Sequence, residues 1–376
     1  MTNIVILGAG YAGLAAAMQL AVRTRRDDTV RVTLVNAGDR FTERLRLPLT
    51  ATGQEVADLR IPDLLAGTGA LFEPGWVTSL DLAARTVTVD ERKIKFDLLV
   101  YALGSVADTA AVPGAEEHAY TLNSFDAAAV LAARLAGATT VVIGGTGPTG
   151  VESAAEIASR YPHLTVTLAG RHEPGATMRP KARAHLQAAL DRLGVRTVRA
   201  EIRKVLPDGV HLDDGTLPAD LFLWAGGTRV SPLAAAMTTD DRGRIVTDPA
   251  LRSVSHPFVY AIGDAAAIRQ PYGIMHGTCQ GGMPTGVHAA LSILRELKGK
   301  QPRPFRFGYY HTPVSLGRHD GVVQFTHGDD TPRRFCLTGR LAARYKEIVT
   351  ASPWSTYRRM RRMPASAAFW PHGKRP

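Results

Sequence analysis

Short apolar runs, most of them closed by glycine, recur along the chain and set its plan. Residues 3–7 read as a buried strand and residues 14–22 as an Ala/Leu-rich helix. Residues 31–35 give a second strand, which ends at Asn36. Residues 39–54 carry mixed charge without a period and read as a loop with irregular structure. Residues 85–89 alternate as a half-buried strand does, and residues 93–96 resemble a hairpin partner. Residues 97–104 are then a buried strand ending in a glycine turn. The order repeats further on. Residues 140–143 are a buried strand, 151–158 a helix and 164–168 a strand. A helix over 184–193 places Leu186, Leu190 and Leu193 at helical spacing, with Gly194 as its stop. Residues 210–212 and 216–217 give another hairpin, and 220–227 echo 97–104. The offset is 137 residues from Gly8 to Gly145 and 123 from Asp97 to Asp220, so two copies of one plan lie in tandem. Residues 258–264 form a third buried strand ending in Gly-Asp, and a helix over 285–298 follows it. Residues 314–316 and 322–325 look like closing strands, and the tail from Arg333 reads as two helices broken at Pro353. The fold class is α/β.

The turn after the first strand is Gly8-Ala9-Gly10-Tyr11-Ala12-Gly13. Gly8 allows the tight turn, Gly10 lets the backbone approach a pyrophosphate, and Gly13 lets helix and strand pack closely. The free N–H groups and positive end of the helix dipole face the phosphates. Asn36 stands where a ribose-binding acid is usual, and its amide makes a weaker hydrogen bond than a carboxylate. The second copy carries the same spacing at Gly145, Gly147 and Gly150, followed by Glu152. Both loops sit between a strand and a helix, the context that separates dinucleotide binding from an ordinary turn.

At 376 residues the chain holds two domains and an appendage. No apolar run approaches the roughly 18 residues of a membrane span, and a first strand beginning almost at Met1 leads us to expect no signal peptide. Cys279 and Cys336 are too few for a disulfide framework and fit a cytoplasmic, reducing setting. Cys279 reads as a small buried side chain rather than a redox thiol. Net charge is +11, yet from residue 331 onward eleven Lys/Arg face the single acid Glu347. The tail therefore carries +10 and the other 330 residues are close to neutral. The twelve histidines show no metal-ligand spacing, and no metal is expected.

The order of Gly8–Gly13, Tyr101-Ala-Leu-Gly104, Gly145–Gly150 with Val151-Glu152, Trp224-Ala-Gly-Gly227 and Tyr260-Ala-Ile-Gly-Asp264 resembles the two-dinucleotide-binding-domain flavoproteins. These form the pyridine nucleotide-disulfide oxidoreductase superfamily. Within it the chain looks like the type II NADH dehydrogenase-like branch, which includes the apoptosis-inducing-factor-like proteins. The resemblance implies two Rossmann-like domains, the second inserted in the first. On that plan residues 1–107 and 245–318 bind FAD, 108–244 bind NAD(P)H, and 319–376 form a C-terminal region with the basic tail. It implies that Gly8, Gly10, Gly13, Asn36, Gly104, Gly263 and Asp264 hold FAD, with Asp264 near the ribityl–pyrophosphate. It places the turn 278–282 beside the isoalloxazine, with Gln280 as the contact, and Glu152 near the nicotinamide amide. Hydride chemistry would then belong to the cofactors, with no catalytic acid–base pair required of the protein.

Two departures from the family matter. No cysteine pair exists beside the flavin, so electrons must leave directly for an acceptor: a quinone, oxygen, a small organic substrate or a protein. At the end of the strand 164–168, where an NAD-specific protein has an acid, this chain reads Ala169-Gly170-Arg171-His172. Loss of the acid removes repulsion of a 2′-phosphate and Arg171 offers it a partner, so NADPH is favoured over NADH. The leading expectation is an FAD-dependent NAD(P)H oxidoreductase acting on a quinone-like acceptor. A flavin-dependent tailoring enzyme and a slow redox sensor are the alternatives. In the tail, Leu341, Tyr345 and Ile348, then Trp354, Tyr357 and Met360, recur among arginines, with Phe369 and Trp370 beyond. Such a pattern suits an interfacial helix on an anionic membrane surface, which would make the protein peripheral on the inner face. The other readings are a tail folded back on the first domain, a homodimer contact, or, less favoured, an acidic protein or nucleic acid.

Overall fold

The glycine-closed runs fold as parallel strands flanked by helices. A computed structural model describes residues 1–373, so Lys374 and Arg375 of the basic tail lie outside them. The chain begins with β1 (Thr2–Leu7), α1 (Tyr11–Thr24), β2 (Val30–Asn36), β3 (Leu71–Pro74) and β4 (Leu98–Tyr101). It continues with β5 (Ala119–Tyr120), α2 (Phe125–Leu135), β6 (Thr140–Gly144) and α3 (Pro148–Arg160). Then come β7 (Thr165–Gly170), α4 (Pro180–Arg192), β8 (Arg196–Arg199) and β9 (Leu221–Trp224). The last third holds β10 (Val259–Ala261), α5 (Cys279–Glu296), β11 (His311–Ser315), β12 (Gly321–Thr326), β13 (Pro332–Thr338) and α6 (Gly339–Met360).

Two five-stranded parallel sheets result, in the orders β10-β4-β1-β2-β3 and β8-β7-β6-β9-β5. The first takes strands from both sides of the second in the chain, so the second Rossmann-like unit is inserted in the first. Each carries its expected hairpin as a three-stranded antiparallel sheet, over residues 77–95 and 202–218. The crossings between the units, Ser105–Ala107 and Thr228–Val230, pair with each other antiparallel. The central strands are buried on both faces: Ile4, Ile6, Leu7 and Leu34 are fully enclosed, as continuous apolar runs in parallel sheets require. Helices α1 and α5 pack so closely that a Cβ on Gly286 would lie 2.0 Å from the carbonyl oxygen of Ala12.

The structure departs from the sequence pattern at two places. Residues 278–282 are the start of α5 rather than a turn before it. Thr278 caps that helix by accepting a hydrogen bond from the N–H of Gly281 at 3.1 Å. In the tail, residues 332–338 form strand β13 on β12, and α6 runs unbroken through Pro353. Pro353 has no N–H for the carbonyl of Val349, but the Ser352 hydroxyl donates to that oxygen at 2.8 Å. Trp354, Tyr357 and Met360, expected to meet a membrane, turn inward instead. Tyr357 and Met360 are fully buried, and Trp354 stacks on Phe41 at 5.7 Å. Phe41 in turn meets Tyr11 edge-on at 5.2 Å, and the Tyr357 hydroxyl donates to the Tyr11 carbonyl at 2.9 Å. Enough apolar surface lay on the first unit to hold this half of the helix. Leu341, Ile348, Met363 and Phe369 remain exposed. Among the described residues no helix is long and apolar enough to cross a membrane.

Candidate functional site

The two glycine loops have the same geometry. Gly8 has φ +95° and Gly145 φ +119°, conformations that L side chains rarely adopt, and a Cβ on either would meet a carbonyl oxygen at 2.5 Å. A Cβ on Gly13 would lie 1.8 Å from the oxygen of Gly8, and one on Gly150 1.8 Å from that of Gly145. The middle glycines differ: a Cβ on Gly10 or Gly147 would meet nothing within 4 Å. Helix and strand are thus locked together while open space remains over each helix N-terminus. That space, lined by backbone N–H groups, fits a dinucleotide pyrophosphate at both loops.

Around the first loop, Asn36 braces the turn. Its Oδ1 accepts from the N–H of Ala9 at 2.9 Å and its Nδ2 donates to the Gly38 carbonyl at 2.7 Å. Gly104, φ +65°, faces open space at the end of β4. Asp264 sits in a single 3-10 turn, where its Oδ2 accepts from the Ser105 hydroxyl at 2.8 Å. The N–H of Gly263 donates to Thr285 of α5 at 3.1 Å. Gly8, Gly10, Gly13, Asn36, Gly104, Gly263 and Asp264 therefore all lie around the carboxyl ends of the first sheet. Gln280 differs, because its amide is taken up internally. Its Nε2 donates to the His311 carbonyl at 2.9 Å and its Oε1 accepts from the N–H of Tyr310 at 3.0 Å. The side chain ties α5 to the C-terminal sheet. Burial, reinforced by Asp264, pushes the Cys279 thiol up to about 12, so it stays protonated. Cys336 is likewise free.

At the second loop, Glu152 is 5% exposed and forms an ion pair with Lys346 of α6 at 2.8 Å. The same carboxylate oxygen accepts from the N–H of Ser315 at 3.0 Å. One turn on, burial raises the Glu156 carboxyl above its usual range, opposed by a hydrogen bond from Gln54 at 3.1 Å. Arg171, at the end of β7, is exposed, and its carbonyl rather than its guanidinium makes the local bond, to Arg199. Nothing in the sequence singled out Lys346, which reads there as one of several cations beside an apolar stripe. Only the docking of α6 brings it to Glu152.

Lys346, Glu152 and Glu156 line a cavity of about 490 Å³ between the two units and the C-terminal region. Its walls include Leu45, Pro48 and Leu49 from the irregular stretch after β2. Burial, together with the Lys346 charge, depresses the nearby His311 to about 4, and its Nδ1 lies 2.7 Å from the Tyr345 hydroxyl. His311 is therefore neutral at physiological pH. Among the described residues no cluster of His, Cys, Asp or Glu could hold a metal ion.

Residues 2–291 match the family described as pyridine nucleotide-disulphide oxidoreductase. An NADH dehydrogenase-like protein of Mycobacterium tuberculosis is 31% identical, over 87% of this chain and 88% of its own. A type II NADH:quinone oxidoreductase of Staphylococcus haemolyticus is 27% identical, over 92% of this chain and 94% of its own. The NDH2 of Plasmodium falciparum, solved with NADH, shares the fold with a TM-score of 0.81 at 16% identity, covering 99% of this chain and 100% of that one. The chain therefore belongs to the pyridine nucleotide-disulphide oxidoreductase family, as an NADH dehydrogenase-like oxidoreductase.

Proposed function

We propose that this protein passes two electrons from NAD(P)H, by way of bound FAD, to a quinone-like acceptor. FAD at the first loop would supply the two-electron relay between a nucleotide donor and a separate acceptor. The observation that carries the reading is the buried Lys346–Glu152 pair in the lining of the 490 Å³ cavity. It joins the nicotinamide-side helix α3 to the C-terminal helix α6, beside an apolar wall suited to a flat ring. A quinone taking two electrons also takes two protons. Lys346, ion-paired with Glu152, would hydrogen-bond a quinone oxygen and stabilise the charge that grows there. The remaining assignments follow the two loops. Gly8, Gly10, Gly13, Gly104, Gly263 and Asp264 form the FAD cradle, Asn36 shapes it, and Gly145, Gly147, Gly150 and Glu152 receive the nicotinamide nucleotide. Gln280 supports that cradle through α5 rather than by its amide.

Lys346→Met tests the acceptor role. Flavin reduction by NAD(P)H should keep its rate in stopped flow, while quinone reduction falls by about 10²-fold, the scale of a lost proton-donor contact. The double variant Lys346→Met with Glu152→Gln avoids stranding a buried carboxylate, and its quinone step is read on protein whose flavin has been reduced beforehand with dithionite, so that nucleotide binding plays no part. An unchanged quinone rate in both would remove Lys346 from the reaction.

For the donor, Arg171 and the missing acid before it support NADPH over NADH. Arg171→Ala should weaken NADPH binding by about 1–3 kcal/mol and leave NADH nearly unchanged. Equal losses in titrations with the two nucleotides would mean that Arg171 does not read the 2′-phosphate. Any contact of the tail with an anionic membrane is assigned to the exposed face of Leu341 and Ile348, since Tyr357 and Met360 beyond are buried. Co-sedimentation with anionic vesicles, lost in Leu341→Glu with Ile348→Glu, is the expected sign of it.

A further inference from the structure

The cavity in which the acceptor is placed opens through a rim of unpaired positive charge. Arg318, in the loop between β11 and β12, and Arg340 and Arg344, on the first turns of α6, line it and are exposed. None of the three makes an ion pair or a side-chain hydrogen bond among the described residues. Arg46, also on the rim, is committed: it binds Glu347 through two hydrogen bonds, of 2.6 and 3.2 Å, and lies 3.2 Å from Glu43. Of the acids facing the cavity, Glu347 is taken by Arg46 and Glu152 by Lys346. Glu156 is buried, with a carboxyl raised by that burial and only partly offset by the Gln54 hydrogen bond and, after it, the charge of Arg318. The mouth is therefore cationic while the wall behind it, Leu45, Pro48 and Leu49, is apolar. A neutral quinone would use the wall and leave three guanidinium groups solvated.

We propose that the acceptor taken by this site is an anionic quinone: a flat ring carrying a carboxylate, sulfonate or comparable group, which Arg318, Arg340 and Arg344 bind while the ring lies on the apolar wall. This rests on the reading of the cavity as the acceptor site. The balance is NAD(P)H plus a proton and the quinone giving NAD(P)⁺ and the hydroquinone. The anionic substituent takes no part in the exchange. Guanidinium suits this task because its charge is permanent and its planar fork matches oxyanions. Cationic clefts also raise the encounter rate of anionic ligands.

The test uses the purified holoenzyme with 1,4-naphthoquinone-2-sulfonate and neutral 1,4-naphthoquinone, without lipid. Each quinone is compared between the wild-type protein and the triple variant Arg318→Gln, Arg340→Gln, Arg344→Gln. At low ionic strength kcat/KM for the sulfonate should fall by about tenfold in the variant, the sum expected of three exposed charge contacts. The neutral quinone should change by less than about twofold, and about 0.5 M salt should erase the wild-type advantage. Equilibrium dialysis of the sulfonate against oxidised protein should show the same loss in Kd. Reversal to Arg340→Glu with Arg344→Glu, a second variant with intact flavin absorbance, should make the sulfonate the poorer substrate. Equal effects on both quinones, or none, would overturn the proposal. So would arginine dependence confined to a parallel co-sedimentation of both proteins with phosphatidylglycerol vesicles, which would assign the rim to a lipid surface. If the wild-type protein reduces neither quinone, the acceptor reading itself fails, a distinct result.

Discussion

Gly13→Val should yield protein without bound flavin, and Gly150→Val should yield flavin-bound protein that NAD(P)H no longer reduces. The added Cβ would stand 1.8 Å from the carbonyl oxygen of Gly8 in one case and of Gly145 in the other. Neither oxygen can move aside, because each belongs to the turn that joins strand to helix. Relief requires the helix to tilt away and carry its N-terminal N–H groups off the pyrophosphate site. The two variants are structurally equivalent, so a difference in phenotype isolates the role of each loop. Absorbance near the flavin bands after purification reads the first, and anaerobic mixing with NADPH or NADH reads the second. Loss of flavin in Gly150→Val but not in Gly13→Val would reverse the assignment of the two units.

Removal of the chain after Asp330 should destroy the folded protein rather than merely a surface appendage. It deletes strand β13, the pair Lys346–Glu152, and the buried Tyr357 and Met360 that close over α1. Glu152 would lose both its ion-pair partner and the helix that covers it. The milder Tyr357→Ala opens a cavity under α6 and should cost about 3–5 kcal/mol in chemical unfolding, as for other large aromatic truncations. A truncated chain with native flavin absorbance and unchanged melting would show that the tail is not part of the core.

The parallel sheets were legible because their strands are enclosed on both faces and therefore appear as unbroken apolar runs. The doubled glycine spacing was legible for a different reason: each position has its own steric demand, and no other residue meets it at Gly8, Gly13, Gly145 or Gly150. The tail was not legible. Trp354, Tyr357 and Met360 recur at helical spacing among arginines, and that pattern is the same whether the apolar face meets lipid or the protein's own surface. Phe41 and Tyr11, more than 300 residues earlier in the chain, decide the matter, and local periodicity carries no trace of them. Lys346 was hidden in the same way. The glycines at 281 and 282 suggested a turn, yet Thr278 caps a helix there, and Gly282 serves close packing where α5 passes Tyr11 and Ala12. Asn36 and Gln280 show a further limit. Their positions were visible, but the partners that take up their amides are backbone groups brought in by the fold.

Electrons are proposed to pass within one chain from a nicotinamide nucleotide to a separate acceptor through a flavin at the first loop. An anaerobic titration in two stages tests this transfer most directly. NADPH, or NADH, is added to the purified protein while the flavin absorbance is followed, and a quinone is then added to the reduced protein. The flavin bands should bleach at one equivalent of nucleotide and return on addition of one equivalent of quinone. Protein that binds no FAD on reconstitution, or bound flavin that stays oxidised with both nucleotides, would contradict it.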